Sequence, residues 1–348
     1  MSQKITILVL SILVLFLGCS KKENLGKEYD QTLILKNLSE NFISKGLKQF
    51  KNQSITLDLA INQYLLTKSN ADLLHSQKEW KQTIDDWRIC ELFNIGEIKN
   101  SFLFNRIDSW NTDTLDIIKT LKSSSIISQK TINSKPSNNV GLYALEYFLF
   151  DNSLTKDPRY YSYLAGLSEN IKIQTEKLYL LWTDSYRSNF ENSKGVNLSS
   201  SISEILNYQP MICEEVLRDK ISVPLGYYSY IDFNKKTLEA WRSRYSLEII
   251  SNTFYNIKDL YYGKGAEGID DYLLFLEDTS TTIKADMIFN ETELKLKKIN
   301  GPLIQTLASE EANLLELRTS FKKIRALFAV DIISSIGIMG TFSDIDGD

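Results

Sequence analysis

The chain has 348 residues, 43% of them hydrophobic and 24% charged, which is enough apolar material for a buried core and excludes a disordered protein. Its formal net charge of −4 shows no basic excess and argues against a nucleic-acid partner. The single histidine, His75, excludes zinc sites built on two or three imidazoles, and any Ser-His-Asp or Cys-His site would have to use it.

The amino terminus has the pattern of a targeting segment. An apolar run over residues 5–17 is followed by Gly18 and Cys19, an arrangement that resembles the bacterial lipobox. These 13 residues are too few to cross a bilayer as a helix but fit the apolar region of a signal peptide, with an uncleaved anchor helix as the alternative. We therefore predict a lipoprotein signal peptide over residues 1–18, lipidation of Cys19 and a polar tether over residues 19–30.

The chain that follows the tether shows the periodicity of helices. Apolar residues recur every three to four positions, and Trp80, Ile84 and Trp87 lie at i, i+4 and i+7 on one helical face. The pair Asp157-Pro158 is a typical helix start. The chain has only 15 glycines, and all 5 prolines fall at or near the boundaries of predicted elements. These features predict an all-α fold.

A polar stretch over residues 192–201 divides the helical region into two parts of comparable length. We predict two helical bundles, residues 31–195 and 196–348, related by an approximate internal repeat. In the second bundle a long helix is predicted over about 236–262, where the glycine-rich loop 263–268 would end it.

Two cysteines would remain in the mature chain, Cys90 and Cys213, and both lie in helix-like contexts. Outside the cytosol they could form a disulfide. Buried free thiols are the alternative.

The stretch Val140–Phe150 is apolar on every side, as expected of a buried helix. Its only charge is Glu146, and a buried carboxylate is costly unless it is paired, hydrogen-bonded or bound to a cation. Tyr143 lies three residues earlier and shares the helical face of Glu146, so their oxygens could converge on one ligand. The residues leave two interpretations open: a carboxylate satisfied by an arginine or tyrosine of a neighbouring helix, or a binding site.

The segment from Gly141 to Glu146 resembles the G-x-H-x-x-E motif of the imelysin-like family, whose members are peptidase M75-like proteins, with Tyr143 in the place of the motif histidine. Further segments resemble that family in the same order: Trp80 and Trp87 with Phe93–Gly96, Lys220 with Pro224–Gly226, Ser243–Leu247 with Asn252, Gly268–Asp271, and Thr341–Asp348. The resemblance covers residues 30–348, nearly the whole mature chain.

The resemblance implies a two-bundle, all-helical exported protein, often a lipoprotein and often linked to iron acquisition, with a site near the bundle interface. It implies these candidate ligand-binding residues: Gly141, Tyr143, Glu146, Glu239, Arg242 and Ser243. The peptidase label of the family depends on a zinc-like motif, and Tyr143 cannot supply the imidazole nitrogen that zinc requires. The oxygen atoms of Tyr143 and Glu146 suit a hard cation such as ferric iron better, which makes them the candidate metal ligands.

We therefore expect a non-catalytic ligand-binding protein of iron acquisition, with iron, haem or an iron chelate as its ligand. Its expected partners are a membrane, through lipid on Cys19, and an iron species or an iron-uptake receptor. It would be anchored to the cell envelope, at the periplasmic face or the outer membrane surface. Two alternatives stay open: a metal-dependent peptidase, and a structural or protein-interaction lipoprotein with a vestigial site in which Tyr143 only packs.

Overall fold

The computed structural model describes residues 28–228 and 232–341. Residues 28–30 have no regular structure and belong to a first unit, residues 1–30, so everything below concerns the second unit, which begins at Gln31. The predicted signal peptide, Cys19, most of the predicted tether and the last seven residues of the carboxy-terminal signature lie outside the described residues.

The helices are numbered in chain order. Those of the first half are α1 (Thr32–Asn37), α2 (Lys45–Thr67), α3 (Asn70–Glu91), α4 (Gly96–Asn100), α5 (Leu103–Ile107), α6 (Thr114–Lys122), α7 (Gln129–Asn133), α8 (Gly141–Phe150), α9 (Pro158–Leu180) and α10 (Arg187–Asn192). π-helical segments join α1 to α2 and α9 to α10, over Leu38–Ser44 and Leu181–Tyr186. A short 3₁₀ turn, Ser137–Asn139, precedes α8.

The second half is also helical in the part that the structure describes. Its helices are α11 (Ser201–Glu215), α12 (Val223–Leu225), α13 (Ser246–Tyr262), α14 (Ile269–Phe275), α15 (Thr279–Leu296), α16 (Leu303–Thr306), α17 (Glu311–Ala326) and α18 (Ile333–Ile336). Two further π-helical segments, Val216–Ser222 and Leu327–Ile332, follow α11 and α17. The 3₁₀ turns are Lys235–Thr237 and Gly263–Gly265.

The all-α prediction is confirmed, since residues 28–228 and 232–341 contain helices and turns but no strand. Along the same residues, none of the helices combines the length and the apolar character needed to cross a lipid bilayer. The division into two bundles near residue 195 and the internal repeat stay predictions.

The packing of the long helices encloses α8. Helices α2, α3 and α9 pack side by side, and α8 lies against both α3 and α9. In the second half α17 packs against α11 and α15, and α13 reaches across to α3. The polar segment that precedes α13 is therefore brought close to α8 by the contact between α13 and α3.

The local signals at helix starts were largely correct. The Asp157 side chain accepts hydrogen bonds from the backbone N–H groups of Arg159 and Tyr160, both at 2.9 Å, and Pro158 follows as the first helical residue. The prediction that all prolines mark boundaries was wrong for Pro210, which is buried inside α11. Packing of the buried face of α11 against α17 outweighs the helical hydrogen bond that a proline removes.

Cys90 and Cys213 are both buried free thiols. Burial raises the pKa of each thiol well above its ordinary value, which keeps both protonated and unreactive at neutral pH. They behave as small apolar residues of the core.

Candidate ligand-binding site

Helix α8 is buried along nearly its whole length, and neither Tyr143 nor Glu146 has any solvent-exposed surface. The indole N–H of Trp80 on α3 donates a 2.7 Å hydrogen bond to the Leu142 carbonyl, which fixes α8 against α3. Glu146 is the only charged residue of the helix, and Tyr143 and Glu146 are its two fully buried side chains that hydrogen-bond to the segment opposite.

Gly141 begins α8 in a conformation that requires glycine. Its φ is +82°, in the left-handed region, and a Cβ placed there would lie 2.5 Å from the Ile107 carbonyl oxygen. The Arg106 carbonyl oxygen would be 3.0 Å away. Backbone atoms cannot rotate aside as a side chain can. The glycine of the motif thus lets α8 start directly against the end of α5.

The segment opposite α8 is not the helix that the sequence predicts. Residues 238–245, here called the opposing turn, form successive turns, and α13 begins only at Ser246. Ala240 and Arg244 have φ values of +52° and +60°, which a continuing helix cannot accommodate. The polar spacing of this segment fits a helix equally well, but the buried hydrogen bonds to α8 described next select the turn.

Glu146 contacts the opposing turn through Ser243. Its Oε1 accepts a hydrogen bond of 2.8 Å from the Ser243 backbone N–H and one of 2.9 Å from the Ser243 hydroxyl. Its Oε2 has no hydrogen-bond partner in the part of the chain that the structure describes. Burial raises the pKa of Glu146 to about 7, against the lowering effect of the two Ser243 bonds.

Tyr143 contacts the same turn through Glu239. The Tyr143 hydroxyl donates to Glu239 Oε1 and accepts a 2.9 Å hydrogen bond from the Arg88 guanidinium. The oxygens of Tyr143 and Glu146 therefore meet different partners in the opposing turn, Glu239 and Ser243. Tyr143 occupies the motif histidine position as a hydrogen-bonded member of an ionic cluster.

Arg88, on α3, is the centre of that cluster and is completely buried. Its guanidinium lies 2.9 Å from Glu91, 3.0 Å from Asp108 and 3.4 Å from Glu239. Burial acts to lower the pKa of Arg88, but these carboxylates raise it overall, so the charge is retained. Arg88 thereby connects α3, the residues after α5 and the opposing turn.

Lys220 supplies the second buried cation of the cluster. Its Nζ lies 2.5 Å from Glu239 Oε2 and 2.7 Å from Glu215 Oε1. Burial raises the pKa of Glu239 to about 8, with Arg88 opposing the shift and Asp108 adding to it. Burial also acts on Glu215, but the charge and hydrogen bond of Lys220 outweigh it and lower the pKa of that carboxyl.

Arg242 is turned away from this cluster. Its Nε donates a 3.1 Å hydrogen bond to Asp151, just after α8. The guanidinium lies over the Tyr147 ring at 4.7 Å and over the Trp241 ring at 4.4 Å. Among the predicted site residues, Arg242 thus fastens the opposing turn to the end of α8 and leaves Glu239 to Arg88 and Lys220.

A cavity of about 620 Å³ opens beside Glu239 and is here called the Glu239 cavity. Six carboxylates and two cationic side chains of the described residues line it: Glu91, Asp108, Glu214, Glu215, Asp219, Glu239, Arg218 and Lys220. Aromatic side chains, among them Trp110 and Tyr208, complete the wall. A cavity of this size is typical of small-molecule sites.

Glu239 is the predicted site residue that lines the cavity; Tyr143 lies behind it, and Gly141 positions α8. Arg88, Glu91 and Asp108 were not predicted as site residues from the sequence. Arg88 and Glu91 could have been recognised, because they form a charged i, i+3 pair directly after an apolar helical face that ends at Trp87. Nothing local marks Asp108.

The arrangement does not fit a zinc ion. In residues 28–228 and 232–341, no three His, Cys, Asp or Glu side chains converge in a way that could hold a metal ion. His75 is half-exposed and lies 3.6 Å from Glu79, four residues along α3. The Tyr143 hydroxyl is already hydrogen-bonded within the cluster. We derive no step of zinc hydrolysis from these residues.

The Glu146→Gln variant is expected to be more stable than the wild type at pH 8, by up to about 3 kcal/mol at roughly 1.4 kcal/mol per pKa unit. The amide keeps the acceptor for Ser243 and cannot ionise. Because the folded-state pKa of Glu146 is raised from 4.5 to about 7, its contribution to stability is present below pH 4.5 and lost as pH rises to 7. Urea unfolding at pH 5 and pH 8 measures this.

The control for that prediction is Glu169→Gln, which removes an equal charge from an exposed position on α9. We expect it to change stability by less than about 0.5 kcal/mol at either pH. A Glu146→Gln variant no more stable than the wild type at pH 8 would contradict the pKa shift.

The sequence matches the model of the imelysin family, Peptidase M75, over residues 43–327. That match spans most of the chain, and the protein belongs to the imelysin family. No curated protein matches the sequence.

Solved structures show the same fold. The crystal structure of an imelysin-like protein from Psychrobacter arcticum superposes with a TM-score of 0.75 at 14% identity, covering 91% of this chain and 99% of that one. The structure of a candidate iron-regulated protein A precursor from Parabacteroides distasonis gives a TM-score of 0.72 at 16% identity, covering 90% and 97%. At these identities the likeness concerns the fold.

Proposed function

We propose that this imelysin-family protein binds a small ligand in the Glu239 cavity as part of iron acquisition, without catalysis. The observation that carries the proposal is the cavity of about 620 Å³ bounded by Glu239, which the motif helix holds through Tyr143. Its volume lies within the range of drug-sized and cofactor-sized sites, roughly 300–1,000 Å³.

Two observations support a link to iron. The structural neighbour from Parabacteroides distasonis is named for regulation by iron. The walls of the cavity are rich in carboxylate oxygens, which are hard ligands and suit hard cations such as ferric iron. Because no three of the described acidic, histidine or cysteine side chains are arranged to hold a metal ion, the proposed cargo is iron inside a complex, haem or an iron chelate, rather than a bare ion.

We also propose that export and lipidation at Cys19 anchor the protein to the cell envelope. The support is the apolar run over residues 5–17 followed by Gly18 and Cys19. Recovery of the full-length protein in the membrane fraction, lost in Cys19→Ala, is expected. Soluble recovery of the wild type would contradict anchoring.

Isothermal calorimetry with haem, ferric citrate and the trihydroxamate chelate ferrioxamine B tests the proposed function. At least one iron species is expected to bind, with an affinity that Glu239→Gln reduces about tenfold or more, while Glu169→Gln leaves it unchanged. Absence of binding by every iron species would overturn the proposal. A protease assay with added zinc is expected to show no metal-stimulated cleavage, and such cleavage would favour the peptidase alternative.

A further inference from the structure

The charges around the Glu239 cavity do not balance. In the inner cluster of described residues, two cations share four carboxylates; the cations are Arg88 and Lys220, and the carboxylates are Glu91, Asp108, Glu215 and Glu239. Two further carboxylates of the wall are already paired, Asp219 with Arg218 at 2.9 Å and Glu214 with Arg325. Glu215 is the most exposed of the four in the cluster, at 40% of its side chain. With all its carboxylates ionised the inner cluster has two negative charges in excess; at neutral pH the raised pKa values of Glu91 and Glu239 mean that protons neutralise part of this excess.

Glu91 is the carboxylate of this cluster that also has an oxygen without a hydrogen-bond partner among the described residues. Its side chain is only 7% exposed, and its Oε1 accepts from Arg88 at 2.9 Å. Its Oε2 has no hydrogen-bond partner within the described residues and is itself shielded from solvent, while other atoms of Glu91 belong to the cavity wall. A buried carboxylate oxygen without a partner is unfavourable, and a donor from a ligand would satisfy it if the Glu91 carboxylate turned toward the cavity.

Aromatic rings stand in the same wall. Trp110 and Tyr208 both line the Glu239 cavity, and both residues are only partly buried. Trp110 is held edge-on against the Tyr143 ring at 5.1 Å between centroids. Ring faces beside carboxylates attract organic cations through the quadrupole of the ring, and this attraction adds to the charge interaction.

We propose that the ligand of the Glu239 cavity carries an organic cation, a primary ammonium or a guanidinium, which donates to Glu91 and lies against Trp110 or Tyr208. The ligand adds a positive charge beside these carboxylates and, once the Glu91 carboxylate turns toward the cavity, donates to its unpartnered oxygen. An ammonium with three donors suits this position better than a metal ion, because no group of the described carboxylates is arranged to hold a metal ion. Neutral and anionic compounds lack the charge that the cluster needs.

This inference rests on the proposed function and makes it more specific: the iron species is a chelate with a free cationic group. Burial raises the pKa of Glu91 to about 7, with Arg88 opposing the shift. The carboxyl is thus partly protonated at neutral pH, and an arriving cation would favour its ionised form. Binding is therefore measured at pH 8, where the Glu91 carboxyl is mostly ionised and can pair with a cation.

The test compares two chelates that differ in one charge. Ferrioxamine B ends in a free primary ammonium, and its N-acetylated form has the same iron centre without that charge. Calorimetry at pH 8 is expected to show at least about tenfold tighter binding of ferrioxamine B by the wild type. Glu91→Gln should remove the difference, and Glu169→Gln should preserve it. The wild-type comparison decides even if Glu91→Gln does not fold.

The outcomes separate the two proposals. Equal binding of both chelates overturns the cationic-ligand inference and leaves the iron proposal standing. If 1,5-diaminopentane binds while no iron species does, the cationic site is supported and the iron proposal fails. If neither chelate nor the diamine binds, the inference is overturned, and the iron proposal then depends on ferric citrate or haem.

Discussion

Replacing Arg88 by methionine is expected to destabilise the protein by about 3–5 kcal/mol at pH 8, the cost of breaking a buried ionic cluster by removing one partner. Methionine retains much of the apolar stem but leaves Glu91, Asp108 and Glu239 facing one another without the guanidinium that lies within 3.4 Å of all three. The Tyr143 hydroxyl loses a donor as well. Urea unfolding at pH 8 measures the loss.

The destabilisation should depend on pH. Glu91 and Glu239 have folded-state pKa values of about 7 and about 8, above the ordinary value of 4.5, so their contribution is present at low pH and lost as pH rises through that window. Without Arg88 these pKa values rise further. The difference between Arg88→Met and the wild type should therefore be smaller at pH 5, where both carboxyls are protonated.

Arg218→Met is the matched control for Arg88→Met. Arg218 pairs with Asp219 at 2.9 Å, but both side chains are more than a third exposed. A surface pair of this kind contributes about 0–1 kcal/mol, so the control should change stability little. An Arg88→Met loss below about 1 kcal/mol, or one equal at pH 5 and pH 8, would show that the cluster does not hold the fold.

Gly141→Ala is expected to cost about 3 kcal/mol or more, the second large effect. The left-handed backbone alone costs an L-residue roughly 1–2 kcal/mol. The added Cβ would lie 2.5 Å from the Ile107 carbonyl oxygen, so α8 must shift away from the end of α5. That shift would move Tyr143 relative to Glu239, and ligand binding in the Glu239 cavity should weaken along with stability.

Gly265→Ala provides a control at nearly the same backbone angle. Gly265 has a φ of +84°, against +82° for Gly141, but a Cβ there would meet nothing within 4 Å. Gly265→Ala should lower stability only by the cost of the left-handed backbone, about 1–2 kcal/mol, and leave ligand binding unchanged. Thermal unfolding of both variants measures the loss of stability and separates the cost of the left-handed backbone from the cost of the clash with the Ile107 carbonyl oxygen. Equal losses for the two alanines would contradict the steric role of Ile107.

The helices were readable from the sequence because their determinants are local. The face formed by Trp80, Ile84 and Trp87 is buried on α3 as predicted, and Asp157 caps α9 through hydrogen bonds to residues two and three positions away. The burial of Glu146 was also predictable, since a helix that is apolar on every side is stable only in the interior of the protein. Each of these features depends on neighbours within one or two turns.

The opposing turn shows where local pattern fails. Its polar spacing predicted a helix over residues 236–262, yet residues 238–245 adopt turns with Ala240 and Arg244 at positive φ. Hydrogen bonds from Ser243 to Glu146 and from Tyr143 to Glu239 join residues nearly a hundred positions apart and select that conformation. Tertiary contacts outweigh helix propensities, which differ by less than about 1 kcal/mol between ordinary residues.

The Glu239 cavity depends on tertiary structure for the same reason. The motif helix, its glycine and its lone carboxylate can be recognised in the chain, and so can the absence of the motif histidine at Tyr143. The ionic cluster is assembled from Arg88, Asp108, Lys220 and Glu239, which come from separate segments. Local periodicity places residues on helix faces, but charge acts through space, and only the folded chain brings these groups within hydrogen-bonding distance.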